Sequence, residues 1–146
     1  MAAVLLNRYF KNFDKCIVAL SGGKDSAVTL KLAVDYMGAE NVVAATCTND
    51  HVFWYQVENA RKIAKFMDVK WTPFEGEMPK EFFENPENKC YYCKKGILRA
   101  AFKVMTQEAI FNLFDGTHAD DDIENRAGFK ALQEFGARSP LLDNRL

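Results

Sequence analysis

The sequence has little of what would direct it to a membrane, a nucleic acid or the cell exterior. Its apolar runs are too short to span a bilayer. Its formal net charge of -1 argues against binding nucleic acid or anionic lipid by bulk electrostatic attraction. Residues 1–15 have the pattern of an amphipathic helix and not of a signal peptide. We therefore expect a cytoplasmic protein with no membrane or nucleic-acid partner, whose four cysteines stay reduced.

The 146 residues contain no internal repeat and no low-complexity segment, so we predict a single domain, residues 1–146. Short apolar runs alternate with amphipathic stretches. This alternation predicts an α/β fold, a doubly wound parallel sheet of Rossmann-like type in three α/β/α layers. The predicted strands are 17–20, 42–47, 69–74, 109–114 and 139–142. The predicted helices are 1–15, 26–36, 58–67, 94–107 and 127–135, with a short one at 80–83.

The most specific local pattern is SGGKDS at residues 21–26, which we call the phosphate loop. Its members are Ser21, Gly22, Gly23, Lys24, Asp25 and Ser26. The glycines permit a tight turn and a close backbone approach to a ligand, and the first amides of the following helix favour an anion. The lysine adds a positive charge and the serines add hydroxyl groups. The spacing fits neither a Walker A loop nor a G-x-G-x-x-G loop, but it suits phosphate.

A second polar segment, DGTHADDD at residues 115–122, follows the fourth predicted strand, and we call it the acidic loop. Because ligands of doubly wound sheets bind beyond the carboxyl ends of the strands, both loops should face one crevice. Asp120 and Asp121 are expected to hold Mg²⁺, which takes one or two carboxylates together with phosphate oxygens. An acidic helix start would explain the same residues, but their place beside a phosphate loop favours the metal. His118 is interpreted as a polar loop residue.

Cys90 and Cys93 form a C-x-x-C pair. In a reducing compartment such a pair is half of a zinc site, part of an iron–sulfur site or a redox dithiol. Flanking lysines and a helix start predict a lowered thiol pKa. Cys47, after the second predicted strand, is the other thiol expected at the crevice, whereas Cys16 is expected to be buried.

Two basic side chains are candidates for binding anionic groups. Lys94 would contact phosphate from the side of the crevice that faces the C-x-x-C pair. Arg138, beside a Ser-Pro bend, would bind an anionic group of the substrate.

The phosphate loop resembles the PP-loop, S-G-G-x-D-S, of the ATP pyrophosphatase superfamily. Nearly the whole chain is similar to one branch of that superfamily, the LarE-type ATP-dependent sulfur transferases. The segments that carry this similarity are SGGKDS at 21–26, GAENVVA at 38–44, CYYCKK at 90–95, DGT at 115–117 with Asp120 and Asp121, and GARSPLL at 136–142.

The resemblance implies an enzyme that adenylates a substrate oxygen with ATP, releases pyrophosphate, and then lets a sulfur nucleophile displace AMP. In that branch the sulfur comes from a sacrificed cysteine or from a [4Fe–4S] cluster held by three cysteines, and the acceptors are nucleotide-like pyridinium acids. The implied cofactors are ATP, Mg²⁺ and either a [4Fe–4S] cluster or Zn²⁺ at the C-x-x-C pair.

The resemblance also implies roles for individual residues. The catalytic candidates are Lys24, Asp25, Cys90 and Cys93. The nucleotide-binding candidates are Ser21, Gly22, Gly23, Lys24, Asp25, Ser26, Lys94, Gly116, Thr117 and Arg138. The metal-binding candidates are Asp120, Asp121, Cys47, Cys90 and Cys93.

Two departures from the LarE-type pattern leave alternatives open. The third functional cysteine of that branch lies beyond the Ser-Pro-Leu-Leu segment, so Cys47 or a cysteine of a second chain would replace it, and we expect a homo-oligomer or a partner subunit. Lys24 stands where LarE-type proteins often carry an apolar residue. The alternatives are a tRNA-thiolating PP-loop enzyme with a zinc or dithiol C-x-x-C pair, and a nucleotide-binding subunit of a split enzyme.

Overall fold

The structure is a computed structural model that describes residues 2–49, 52–76, 78–84, 86–121 and 127–146. Its elements are α1 (Ala2–Phe10), β1 (Cys16–Ala19), α2 (Lys24–Met37), β2 (Val42–Thr48), α3 (Trp54–Phe66), β3 (Lys70–Glu75), α4 (Lys80–Glu84), α5 (Lys89–Glu108), β4 (Leu113–Phe114), α6 (Ala127–Phe135) and α7 (Pro140–Asp143). Single turns of 3₁₀-helix precede β2 and α5.

The strands of the described residues form one parallel sheet in the order β3-β2-β1-β4. Cys16 of β1 pairs with Val42 of β2, and Ile17 pairs with Leu113 of β4. The strands consist mainly of apolar residues because each of the central ones is covered on both faces. This sheet is the doubly wound parallel sheet that the strand–helix alternation predicts.

Helices cover both faces of the sheet, which confirms the predicted three-layer arrangement. On one face, α1, α2 and α3 bury apolar side chains against Val18 and Leu20. On the other face, α5 and α6 pack against Ile17 and Val43. Neighbouring residues of β1 therefore enter two different cores, as the pleat of a strand requires. In the described ranges, no helix is both long and apolar enough to cross a membrane.

The strand order changes direction at β1, and this places a crevice at one edge of the sheet. From β1 the chain moves outward to β2 and β3, and it then returns to β4 on the other side of β1. The carboxyl ends of the strands flank an opening at such a switch point. The phosphate loop leaves β1 and the acidic loop leaves β4, so the topology brings both loops to this opening.

Thr46 fixes the end of β1 beside β2. Its buried hydroxyl donates to the Leu20 carbonyl oxygen over 2.8 Å and accepts a hydrogen bond from the indole N–H of Trp71 at 2.9 Å. The end of β1, from which the phosphate loop begins, is therefore held against β2 by hydrogen bonds.

The fifth helix is longer than the sequence pattern predicts. It begins at Lys89 and thus includes the C-x-x-C pair in its first two turns. The start of the helix is stable because Tyr91 packs against the core beneath α5 and α6 and donates a hydrogen bond to Glu134 of α6. The helix ends where Ala109 adopts a left-handed φ of 55°, and β4 is consequently shorter than predicted.

The predicted final strand at 139–142 is wrong. Pro140 opens the short helix α7 instead, at a position where its missing N–H costs no intrahelical hydrogen bond. Of this region Arg138 alone is described as β-paired, in an isolated bridge to Phe114.

Candidate active site

The phosphate loop is closed by its own two serines. The amide of Ser21 donates to Ser26 Oγ over 3.0 Å, and the two hydroxyl oxygens lie 3.0 Å apart. Gly22 has a φ of 86°, which side-chain-bearing residues rarely adopt. These contacts turn the chain from β1 directly into α2.

The start of α2 presents positive charge to the crevice. The N-cap residue Gly23 makes no side-chain capping bond, so the first amides of the helix remain available to a ligand. They carry the positive end of the helix dipole. The Lys24 side chain is 89% exposed, and its ammonium nitrogen lies 4.0 Å from an Asp25 carboxylate oxygen.

Two glycines let neighbouring backbones approach the phosphate loop closely. A Cβ atom on Gly116 of the acidic loop would lie 2.7 Å from the Ser26 amide nitrogen. A Cβ atom on Gly22 would overlap the carbonyl group of Gln56 in α3. The acidic loop and the start of α3 thus pack against the phosphate loop with no space for a side chain between them.

Asp115 anchors the acidic loop to the fold. Its Oδ1 accepts a hydrogen bond from the Ser139 hydroxyl at 2.5 Å, and its Oδ2 accepts one from the Thr117 hydroxyl at 2.8 Å. Both donors are buried. The anchoring role of Asp115 is not among the sequence-based predictions, although an aspartate before Gly-Thr at a strand end is a recognisable turn signal.

Two carboxylates from different loops converge beside the phosphate loop. His118 Nε2 lies 3.3 Å from Asp25 Oδ2 and 3.5 Å from Asp121 Oδ1. The amide of Asp120 donates to His118 Nδ1 over 3.1 Å, so Nε2 carries the ring proton that faces the carboxylates. His118, which the sequence pattern indicates only as a polar loop residue, therefore lies beside two carboxylates of the candidate site.

These elements enclose a cavity of about 520 Å³ at the carboxyl end of the sheet. One group of lining residues is polar and comes from the phosphate loop and the acidic loop, including Asp115, Gly116, Thr117 and Asp121. A second group is mainly apolar but includes one thiol and one ammonium group, and its members are Cys47, Val52, Phe74, Lys94 and Ile97. The volume is in the range of small-molecule sites.

Residues 5–130 match the family model for NAD synthase. The chain belongs to the NAD synthase family, a family of PP-loop ATP pyrophosphatases. The matched residues run from α1 into α6 and include both loops of the crevice. The resemblance of SGGKDS to a PP-loop is thereby confirmed.

Curated relatives match over nearly the whole chain. An uncharacterized protein of Synechocystis sp. is 31% identical over 140 residues, which are 94% of this chain and 52% of the relative. The pyridinium-3,5-bisthiocarboxylic acid mononucleotide synthase of Lactiplantibacillus plantarum is 29% identical over 133 residues, or 90% of this chain and 48% of that protein. The chain thus spans about half the length of the curated relatives it matches.

Solved structures share the fold at low sequence identity. The NMN synthetase of Francisella tularensis superposes with a TM-score of 0.69 at 16% identity, covering 97% of this chain and 63% of that chain. The U34-tRNA thiolase NcsA of Methanococcus maripaludis, solved with its [4Fe-4S] cluster, gives a TM-score of 0.66 at 17% identity, with 96% and 59% covered.

The three thiols predicted at the site lie in two places. Cys47 lines the cavity and is so close to Gly76 that a Cβ atom there would lie 2.6 Å from its sulfur. Cys90 is exposed and Cys93 half-buried at the start of α5. Among the described residues, no group of three or more His, Cys, Asp or Glu side chains is arranged to hold a metal ion by itself.

The predicted lowering of the thiol pKa is wrong for Cys93. Partial burial raises its pKa, and this effect outweighs the opposing charge of Lys94. Burial likewise raises the pKa of the Cys47 thiol. Two of the flanking lysines are directed elsewhere, because Lys89 lies over the ring of Phe82 and Lys95 over that of Tyr91.

Other predicted site residues are not gathered at the cavity. Asp120 is exposed, whereas its neighbour Asp121 lines the cavity. Arg138 lies over the ring of Phe13 and lines a different cavity, of about 400 Å³. Asp122 of the acidic loop lies outside the described residues.

Proposed function

We propose that this chain binds ATP and transfers its adenylyl group, with release of pyrophosphate, in the service of sulfur transfer to a small nucleotide-like acid. The observation that carries the proposal is the cavity in which the PP-loop faces Cys47 and Lys94. The family membership supports ATP binding. The relative from L. plantarum, whose name states a thiocarboxylic acid product, supports sulfur transfer.

The phosphate loop and the start of α2 hold the triphosphate. The amides of the first helical turn and the Ser21 hydroxyl donate to phosphate oxygens, and Lys24 adds charge as pyrophosphate departs. Asp25 and Asp121 fit the preference of Mg²⁺ for one or two carboxylates plus phosphate oxygens, because both lie beside the loop. When bound, the ion would neutralise charge on the leaving pyrophosphate.

The second group of lining residues receives the acceptor. Lys94 binds its anionic group, while Val52, Phe74 and Ile97 contact an apolar or aromatic ring. A carboxylate oxygen of the acceptor attacks the α-phosphorus, and the bond between this phosphorus and the bridging oxygen breaks as pyrophosphate leaves. A sulfur nucleophile then attacks the adenylated carbonyl carbon, and AMP departs with the electron pair of the broken C–O bond.

The thiols belong to the sulfur-delivering half of this proposal. Cys90 and Cys93 are i and i+3 on one helix and therefore lie on one face, as two ligands of a shared ion or cluster, or a dithiol, require. Cys47 is not gathered with them into a ligand set in the described structure. We therefore assign Cys90 and Cys93 as a pair and derive no step through a cluster.

The test follows the phosphorus atoms of ATP. The chain is incubated under anaerobic conditions with Mg²⁺, α-labelled ATP, sulfide and pyridinium-3,5-dicarboxylic acid mononucleotide, the oxygen counterpart of the compound named for the L. plantarum relative. AMP and pyrophosphate in equal amounts, with sulfur incorporated into the acceptor, are expected. Formation of ADP and phosphate would overturn the adenylyl-transfer proposal.

Matched variants assign the products to this cavity. Lys24→Ala should lower pyrophosphate release by about a hundredfold, as loss of a positioned charge-stabilising group does. Lys31→Ala is the control, because Lys31 lies on the same helix but pairs with Asp35 over 2.9 Å on the surface. Equal losses in the two variants would contradict the assigned site.

Replacement of the acceptor by an unmodified tRNA tests the main alternative. Release of pyrophosphate with tRNA but not with the mononucleotide would replace the small-acid acceptor by an RNA. Binding of ATP without release of pyrophosphate in either mixture would contradict catalysis by the chain alone.

A further inference from the structure

His118 joins the two halves of the phosphate-binding site. It belongs to the acidic loop, and its Nε2 lies within 3.5 Å of carboxylate oxygens on both Asp25 and Asp121. The first carboxylate belongs to the phosphate loop after β1 and the second to the acidic loop after β4. His118 therefore lies close to carboxylates that belong to two separate loops.

One hydrogen bond to the ring and one from the backbone amide fix the orientation of His118. Nδ1 accepts from the Asp120 amide at 3.1 Å, which leaves the proton on Nε2. The backbone amide of His118 donates to Asp121 Oδ2 over 2.9 Å, while Nε2 faces the other oxygen of the same carboxylate. One residue thus bonds one oxygen of Asp121 through its amide and, through Nε2, lies 3.5 Å from the other oxygen and 3.3 Å from an oxygen of Asp25.

We propose that His118 is a positioning residue for ATP binding, which keeps Asp25 and Asp121 directed to one point beside the phosphate loop. This role rests on the proposed function of the cavity. Two carboxylates near one point repel each other, and the polar Nε2–H group that lies within 3.5 Å of both offsets part of that repulsion. Without it the carboxylates separate, and the site must bring them together when nucleotide and Mg²⁺ bind, which weakens binding.

Two conservative substitutions separate this role from a purely structural one. The amide nitrogen of Gln reaches the place of imidazole Nε2, so His118→Gln retains a donor to both carboxylates. The shorter amide of Asn reaches the place of Nδ1, so His118→Asn keeps an acceptor for the Asp120 amide but loses the donor. A carboxylate-positioning role is rescued by Gln, whereas a role in the loop turn alone is rescued by Asn.

The measurement is calorimetric binding of α,β-methylene-ATP to the full chain, with Mg²⁺ present. We expect His118→Asn to raise the dissociation constant by about tenfold, the lower end of the effect seen when a residue that orients metal ligands is removed. His118→Gln should stay near the unmodified chain. Thermal unfolding of all variants is recorded alongside, and equal midpoints show that the comparison concerns binding and not folding.

A double-mutant cycle tests the path through Asp25. In an Asp25→Asn background, His118→Asn should cause a much smaller loss than in the unmodified chain, because one of the two carboxylates it positions is gone. Additive losses, or rescue by Asn and not by Gln, would overturn the positioning role while leaving the ATP site intact. Absence of analogue binding by the unmodified chain would overturn the proposed function and this role with it.

Discussion

The phosphate side of the cavity and the start of α5, which carries the thiol pair, are built differently. The phosphate loop is closed by hydrogen bonds between Ser21 and Ser26, and the backbone of Gly116 and of Gln56 packs against it. The thiol pair instead lies at the start of α5, where Cys90 is exposed and Cys93 is half-buried. The phosphate loop is thus enclosed by close backbone packing, whereas the thiol pair lies at the surface of a helix start.

The two regions differ in packing and in exposure to solvent, and different chemistry needs each of these. A site that holds phosphate needs amides and charges in fixed positions before the ligand arrives, because their value lies in preorganisation. A thiol can react with a molecule from solution only where it is accessible, and Cys90 is exposed. The predictions below separate the two regions by substitutions that should affect one and leave the other unchanged.

The largest expected effect comes from Gly116→Ala. The new Cβ atom would lie 2.7 Å from the Ser26 amide nitrogen and would push the acidic loop off the phosphate loop. A displacement of this kind should weaken binding of α,β-methylene-ATP by about a hundredfold. Gly128→Ala is the matched control. A Cβ atom there would lie 3.6 Å from its nearest neighbour, the Cε atom near the flexible end of the Lys94 side chain. Equal affinities of the two variants would show that the phosphate loop is not preformed by this contact.

A loss of stability is expected from Asp115→Ala. The change leaves the buried hydroxyl groups of Ser139 and Thr117 without their acceptor. We expect the free energy of unfolding in urea to fall by about 2–3 kcal/mol. Asp120→Ala, at an exposed position of the same loop, should change it by less than about 0.5 kcal/mol. Similar losses for both aspartates would contradict the anchoring role of Asp115.

The thiol pair is tested by alkylation with iodoacetamide across pH. In a Cys90→Ser background, the rate at Cys93 should reach half of its maximum above pH 9.0, the ordinary value for a thiol, because burial raises its pKa. The thiolate is the reactive form, so a raised pKa slows the reaction at neutral pH. Peptide mapping distinguishes Cys93 from Cys47. A midpoint below pH 9.0 would show that Lys94 activates the thiol after all.

The last prediction concerns the buried Cys16, at the start of β1, whose replacement should leave nucleotide binding unchanged. Burial raises its pKa from 9.0 to about 12. Between these values the unfolded chain loses the thiol proton while the folded chain keeps it, so stability falls as pH rises. The slope from this group approaches about 1.4 kcal/mol per pH unit.

The measurement compares urea unfolding of the unmodified chain and Cys16→Ala between pH 9 and 11. The variant should be less stable at pH 8 because of its cavity, but its stability should fall less steeply with pH. Parallel slopes would contradict the shift. Nucleotide affinity serves as the control and should be the same in both chains at pH 8.

Much of this architecture is readable from local patterns. The SGGKDS motif between a strand and a helix predicts a phosphate loop, and alternation of apolar strands with helices predicts the parallel sheet. The start of α5 was predicted late, because the contact of Tyr91 with Glu134 of α6 decides it and is not visible in the local pattern. The element at 139–142 was assigned as a strand from its apolar residues, although Pro140 favours a helix start.

The site residues divide in the same way. Membership of a loop or of a helix start is local, so Asp121 and Lys94 could be nominated from the sequence, and both line the cavity. Arg138 could not be placed in advance, because its guanidinium packs over Phe13, which is distant in the sequence and follows α1. The contact of His118 with Asp25 likewise depends on the approach of two loops from different strands, whereas its contact with Asp121 lies within one loop.

By itself the sequence determined the chemistry of the loops, because glycine torsions, helix-start amides and charged side chains act within a few residues of one another. The tertiary structure decided which of these groups meet. The strand order β3-β2-β1-β4 brings the loops after β1 and β4 together, and Gly116 allows their contact. Burial then set the pKa of Cys93 above its ordinary value against the prediction from neighbouring charges. Such desolvation depends on every element packed around a group and therefore cannot be derived from its flanking residues.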